Sequence, residues 1–303
     1  MYFVQRISKV DIAERLRLSR FQVARILEQA LDEGYVHFQI LEPEPLYPQL
    51  SAKIEDIFGI NFCIIVDDPK LGNGELQRRV AFACGKHLLD ILHDDDVLGI
   101  SLGSTVQSVV ESLPNKVNKN VKVVQLLGGG IEGSDKIGCN SLTWEMAKKF
   151  GSQPFFLSAP AFVDSPDLKR ALLSDEHIQE TYVRYKSLSV ALVGIGAISE
   201  SPASMLIRSG IIDPTRLARL IGQGVVGDVL VYTYDKNGNV IPSGLEDRTI
   251  AVPLDDYLNT PYRIGVASGS NKVRAIYGAL KGGFINALVT DNMTALSVVG
   301  MIN

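Results

Sequence analysis

Cysteine is scarce in this chain: Cys63, Cys84 and Cys139 stand far apart and form no CxxC pair. That spacing excludes a thiolate metal knuckle and argues against a disulfide framework. No N-terminal signal peptide is apparent, so reduced thiols in a cytoplasmic protein are expected. His37, His87, His93 and His177 show no ligand spacing, and neither a metal nor a cofactor is expected. No apolar run approaches the roughly 20 residues that a membrane span needs. Charged residues are only 21% of the 303, against 46% apolar, the balance of a globular protein with ample core. Proline is outnumbered by glycine, 13 to 27, and many glycines sit where an apolar run stops. That placement suits strand-to-helix turns.

The net charge of −4 is unevenly spread. Arg6, Lys9, Arg15, Arg17, Arg20 and Arg25 outnumber the acids of residues 1–40, and no acid falls between Arg15 and Arg25. A small cationic head on an acidic body suits a local nucleic-acid contact. Ile12, Ala13, Leu16 and Leu18 follow a helical period. Ser19 then offers an N-cap, and Val23, Ile26, Leu27 and Ala30 repeat the period up to Gly34. This is the pattern of a helix-turn-helix over residues 1–41, with YVHFQIL (35–41) as a short strand or wing. The recognition helix would present Ser19, Arg20, Phe21, Gln22 and Arg25 to operator DNA. Arginine suits bidentate contact to guanine, and glutamine to adenine. The bland reading of the same residues is a helical hairpin with solvated arginines.

Residues 42–50 (EPEPLYPQL) hold three prolines, are not expected to run as helix, and read as a linker. From residue 51 to 303 the pattern is α/β. A helix over Ser51–Phe58 leads to a strand at Asn61–Val66 and a long helix from about Glu75 to Leu92. Apolar strands follow at 97–101, 121–127, 188–196 and 262–268, most of them leading into helix. Such alternation predicts a Rossmann-like, mostly parallel sheet covered on both faces. Over 226–241, Asp235-Lys236-Asn237-Gly238 reads as the turn of a hairpin insertion. Asp94-Asp95-Asp96 reads as a solvated turn and not a metal cluster.

These strings resemble a known family. ISKVDIAERLRLSRFQVARILEQALDEGYVHFQI is similar to the head of the SorC/DeoR-type sugar-binding transcriptional regulators. The body carries that family's landmarks in order: DDDVLGISLGSTV, VKVVQLLGGG, LVGIGAI, GVVGDVLVYTYDKNGN, DRTIAVPLDD and ASGSNKVRAIYGALKGGFINALVTD. The resemblance implies an effector domain similar to sugar-phosphate isomerases, a phosphorylated sugar or related metabolite as effector, and homo-oligomers (dimers or tetramers) on operator DNA. Release from DNA on effector binding, the behaviour of a repressor, is the commoner case, and the chain itself leaves the direction open. Two departures stand out. Met1 falls inside the family's usual first helix, so either that helix is shortened or the start lies further upstream. Phe21 stands where the family often has proline; it could touch a thymine methyl or the head's own core, and the core is the expected place.

Ligands of open α/β sheets bind beyond the carboxyl ends of the strands. Two loops there have suitable chemistry. Ser101 and Gly103-Ser104-Thr105 open one helix, with a glycine for close approach, free N–H groups and hydroxyl donors. Gly269-Ser270-Asn271-Lys272 opens another, and Lys272 in a first turn opposes the helix dipole unless an anion balances it. An ordinary N-cap explains the first loop equally well, whereas Lys272 makes the second a better phosphate candidate than a solvated lysine would be. The resemblance points to Lys272 as well, and to Asp228 as the pocket acid. Gly128, Gly129 and, further back, Gln125 are expected along another wall. Leu127 stands where some relatives carry a cation; without an amine there, reversible non-covalent binding is expected. The rival reading is an isomerase- or deaminase-like enzyme, which needs a base and a proton-shuttling acid. Asp228 could be the base, but no His or Glu in a pocket loop completes the pair, so no catalytic residue is assigned.

Overall fold

The computed structural model describes residues 1–5, 7–32, 47–67, 73–130, 138–199 and 204–302, and it divides the chain into two compact units, Met1–Glu44 and Pro45–Asn303. The predicted wing and the first part of the predicted linker lie outside the described residues.

The head contains α1 (Tyr2–Gln5), α2 (Lys9–Leu16) and α3 (Arg20–Asp32). Ser8 caps α2 by accepting the Asp11 N–H at 3.1 Å. Arg17 ends that helix in the left-handed region, at φ 55°, and so turns the chain toward α3. Ile12, Ala13 and Val23 are buried between the two helices, with Tyr2, Ile7, Leu18 and Leu27 packed against them. This is a helix-turn-helix on a very small core.

The body opens with α4 (Pro48–Phe58), β1 (Phe62–Val66), α5 (Asn73–Ile91), β2 (Val97–Ile100) and α6 (Ser104–Ser112). It continues through β3 (Lys122–Gln125), α7 (Cys139–Phe150), β4 (Pro154–Phe155), α8 (Pro166–Leu173), α9 (Glu176–Tyr185) and β5 (Val190–Ala197). Next come α10 (Met205–Arg208), α11 (Pro214–Gly222), β6 (Val225–Val229), β7 (Tyr232–Asp235) and α12 (Leu254–Leu258). The chain closes on β8 (Tyr262–Val266), α13 (Val273–Lys281), β9 (Ala287–Asp291) and α14 (Asn292–Gly300).

Among the described residues the strands form one sheet in the order β1-β9-β8-β5-β2-β3-β4, every neighbouring pair parallel. The β6–β7 hairpin hangs from β5 by antiparallel pairing. Successive residues of each strand enter different cores. Ala191 and Val193 of β5 pack with Ala275, Ile276 and Ala279 of α13 and Val298 of α14. Val190 and Leu192 pack on the other face with Val80 and Leu88 of α5 and Val106 and Val110 of α6. Burial on both faces is why these strands are near-continuous apolar runs, each such side chain stabilising the fold by about 1.5–3 kcal/mol.

Three expectations need correction or completion. Pro48 does not interrupt a helix; it opens α4, at a position where its missing N–H is no loss, so α4 takes in the end of the predicted linker. The β6–β7 turn lies at Leu230-Val231. The expected turn at Asp235–Gly238 is present as a second reversal, with Tyr234 bridged antiparallel to Val240 and the Asp235 carboxylate accepting the N–H groups of Asn237 and Asn239 at 2.9 Å. Finally, β4 and β9 belong to no predicted strand. The acidic run before β2 is indeed a turn: Asp96 accepts the His93 N–H and Asp94 the Asn120 N–H, each at 2.7 Å. No described helix is long and apolar enough to cross a membrane.

Candidate functional site

A cleft lies at the carboxyl ends of β2, β5 and β8, bounded by the β6–β7 hairpin and α10. The parallel sheet sets this place, because each of those strands delivers a loop there.

From β2 come Ser101, Gly103, Ser104 and Thr105, all lining the cleft. Ser101 is buried, and its hydroxyl accepts the Gly194 N–H at 3.4 Å. Gly103 sits at φ 148°, outside the reach of ordinary side chains, and no side chain caps the N-terminus of α6 that follows. The first N–H groups of α6 are thereby left for an anion or water.

Asp228 on β6 pairs with Gly196 on β5 and is only 4% exposed. A Cβ at position 196 would come within 2.2 Å of the Asp228 Oδ1, so glycine is the residue that admits this carboxylate. That oxygen is buried without a hydrogen-bond partner. Burial pushes the acid up from 3.8 to about 6, while the Ser204 hydroxyl and the charges of Lys272 and Arg208 pull it down.

Lys272 closes the 3-10 turn Ser270–Lys272 and leads into α13. Its half-buried ammonium donates to the Ile195 carbonyl at the end of β5. Burial lowers it from 10.5 to about 8, with Asp228 opposing that shift and Arg208 adding to it. Arg208, the last residue of α10, lines the same cleft. Leu102, Leu127, Met205 and Leu230 supply the apolar part of the lining. Leu230 holds the left-handed conformation, φ 58°, in the hairpin turn, a geometry that costs a non-glycine residue about 1–2 kcal/mol.

The structure thus gathers Ser101, Gly103, Ser104, Thr105, Asp228 and Lys272 around one cleft. It does not bring Gln125 there, which corrects that expectation. Gln125 is fully buried, and its side-chain amide donates to the Leu127 carbonyl at 2.6 Å and accepts the Leu157 N–H at 3.2 Å. Gly128 and Gly129 also lie outside the lining, stitched to Ile250 and Ala159 through their N–H groups at 3.0 and 2.8 Å. Gly269 and Ser270 lie outside it too. The Gly269 N–H is taken by the Asp291 carboxylate at 3.1 Å and the Thr294 hydroxyl at 2.8 Å, so this loop offers the cleft the lysine and not that amide. Arg208, Gly196 and Leu230 were missed by sequence reasoning. Gly196 stands within the quoted string LVGIGAI, but nothing in one strand shows which side chain will press on it from the next.

In the head, Ser19, Arg20, Phe21, Gln22 and Arg25 are all exposed. Ser19 and Gln22 form a capping box: the Ser19 hydroxyl accepts the Gln22 N–H at 3.2 Å, and the Gln22 Oε1 accepts the Ser19 N–H at 2.8 Å. Phe21 is 87% exposed, which overturns its expected place in the head's core.

Residues 47–300 match the model of a sugar-binding domain family, Sugar-bind. The deoxyribonucleoside regulator of Bacillus subtilis (strain 168) is 31% identical over 300 residues, covering 99% of this chain and 95% of that protein. The transcriptional regulator LsrR of Escherichia coli (strain K12) is 28% identical over 98% of this chain and 92% of that protein. The crystal structure of the full-length sorbitol operon regulator SorC from Klebsiella pneumoniae superposes with a TM-score of 0.79 at 26% identity, covering 98% of this chain and 95% of that one. These relatives are transcriptional regulators and not enzymes. With the helix-turn-helix head, the parallel-sheet body and a family match over most of its length, the chain belongs to the SorC/DeoR-type sugar-binding transcriptional regulators.

Proposed function

We propose that this regulator binds operator DNA through α3 and that its affinity is set by reversible binding of a phosphorylated sugar, or a related phosphorylated metabolite, in the cleft. The observation that carries the reading is the meeting of opposite needs in one small space. Lys272, Arg208 and the uncapped start of α6 favour an anion, while the buried Asp228, with one oxygen lacking a partner, favours a hydroxyl donor. A sugar phosphate supplies both. Leu127 lines the cleft on the wall where some relatives carry a cation, so covalent capture is not expected at that point. Pairing of heads in a homodimer or homotetramer would set the spacing between two recognition helices. The ligand then acts through its different affinity for DNA-competent and DNA-incompetent arrangements.

The test is a thermal-shift screen of phosphorylated sugars alongside gel shifts at fixed salt. A hit that alters DNA affinity without being consumed supports the regulator, and turnover of the hit refutes it. Lys272→Ala is expected to abolish the thermal shift and keep DNA binding, while Arg20→Ala does the reverse. Should no phosphate ester shift the melting of the wild-type chain, the effector assignment falls.

A further inference from the structure

We propose that Phe21 is a specificity-determining residue of the recognition helix, laying its ring on the 5-methyl group of a thymine in the major groove. The proposal rests on the DNA-binding reading above and goes further, naming the base and the group on it that is read.

The helix geometry comes first. At about 100° per residue, Phe21 lies roughly 160° around α3 from Val23. Val23 is 3% exposed and anchors the head's core, so Phe21 points away from it. At 87%, Phe21 is the most exposed of the large apolar side chains described. Single exposed apolar residues are common, but here the ring stands on the first turn of the helix that faces base edges. Arg25 shares its stripe one turn on, Arg20 precedes it, and no acid falls between Arg15 and Arg25. The cover that this cationic surroundings favours is a polyanion.

The capping box decides which neighbour reads a base. A bidentate pair with adenine needs the Gln22 Oε1 to accept from the base, yet that oxygen already accepts the Ser19 N–H at 2.8 Å. That oxygen keeps a second lone pair, but turning the amide to an adenine competes with holding it on the cap at the helix terminus. Sequence discrimination passes to the exposed neighbours. A phenyl ring offers no hydrogen bond, and the apolar feature on major-groove base edges is the thymine methyl.

The test uses the full-length chain. Sites are enriched from a random duplex pool, and each thymine of the enriched site is then replaced singly by deoxyuridine, which differs only by that methyl. Losing one buried methyl should weaken wild-type binding about fourfold at one thymine per half-site. Phe21→Ala should bind the enriched site more weakly, lose sensitivity to that replacement, and keep its melting temperature and its affinity for unrelated duplex. Phe21→Leu should regain part of the sensitivity. The assignment is overturned if Phe21→Ala remains sensitive to the same uracil, if the wild-type chain ignores every uracil, or if Phe21→Ala changes subunit association in sedimentation while DNA affinity is unaltered. A wild-type chain that enriches no duplex at all would instead overturn the DNA-binding reading itself.

Discussion

Replacing Asp228 by asparagine should make the ligand-free protein more stable and at the same time deaf to its effector. Burial is what the charge works against: it pushes the acid from 3.8 to about 6 despite help from Ser204, Lys272 and Arg208. A folded acid weaker than the unfolded one binds its proton more tightly in the native state. Its favourable contribution is therefore complete below about pH 4 and is lost as pH rises through about 6. Going from 3.8 to about 6, at about 1.4 kcal/mol for each tenfold, amounts to about 3 kcal/mol lost at neutral pH. Asparagine keeps the shape and drops the charge, recovering up to that amount, in which the attraction of Lys272 is already counted. At about 2 °C for each kcal/mol in a chain of this size, the melting midpoint should rise by roughly 5 °C at pH 7.5. Near pH 4 the difference should vanish. Differential scanning fluorimetry of both proteins across that range, with and without a sugar phosphate that shifts the wild type, reads all of this. A variant that melts below the wild type at pH 7.5, or an offset that is the same at every pH, would refute the reasoning. Stability gained together with binding lost is the mark of a charge kept for a ligand.

Gly196→Ala should damage the same site by crowding, because its new Cβ would stand 2.2 Å from the Asp228 Oδ1; isothermal titration should show at least a tenfold loss of effector affinity while the far-ultraviolet circular dichroism is kept. Borohydride treatment in the presence of an aldehyde sugar phosphate should add no mass to the protein, and a reduced imine adduct on Lys272 would refute non-covalent binding in the cleft. Ser19→Ala removes one half of the capping box and should cost the head about 1 kcal/mol, read as faster amide exchange at Gln22 and Val23 with the body unchanged.

Much of the body could be read from the chain because its strands are buried on both faces. Runs such as VLGIS and VALVGIG have no polar face to blur them, and the loop after the first carries its glycine and hydroxyls in plain view. β9 escaped because ALVTD is only five residues long and runs directly into α14, even though Gly282-Gly283 mark the end of α13, and two-residue β4 because it is defined by its neighbour β3 alone. The site was half legible. Lys272 betrayed itself by sitting at the wrong end of a helix. Gln125 is polar and next to the right loop, but the pleat turns it into the core, where backbone groups of Leu127 and Leu157 hold it. Arg208 reaches the cleft from α10, which no local pattern ties to β2 or β8. Phe21 was decipherable: residue type suggested the core, but its angle around α3 relative to Val23 already placed it outside.

One carboxylate described above constrains how the cleft can respond. Asp291 caps α14 through the Thr294 N–H at 2.8 Å and, with the Thr294 hydroxyl, holds the Gly269 N–H on the turn that carries Lys272. The lysine side of the cleft is riveted to the last strand and the last helix, and moving it means uncapping that helix. The opposite bank, bearing Asp228 and Leu230, joins the sheet through the pairing of β6 with β5 and is tied to α13 by the Tyr234 hydroxyl, which donates to the Ala275 carbonyl at 3.1 Å. A ligand that draws the two banks together would move the hairpin about its root on β5, the middle strand of the sheet, while the lysine side stays held by Asp291.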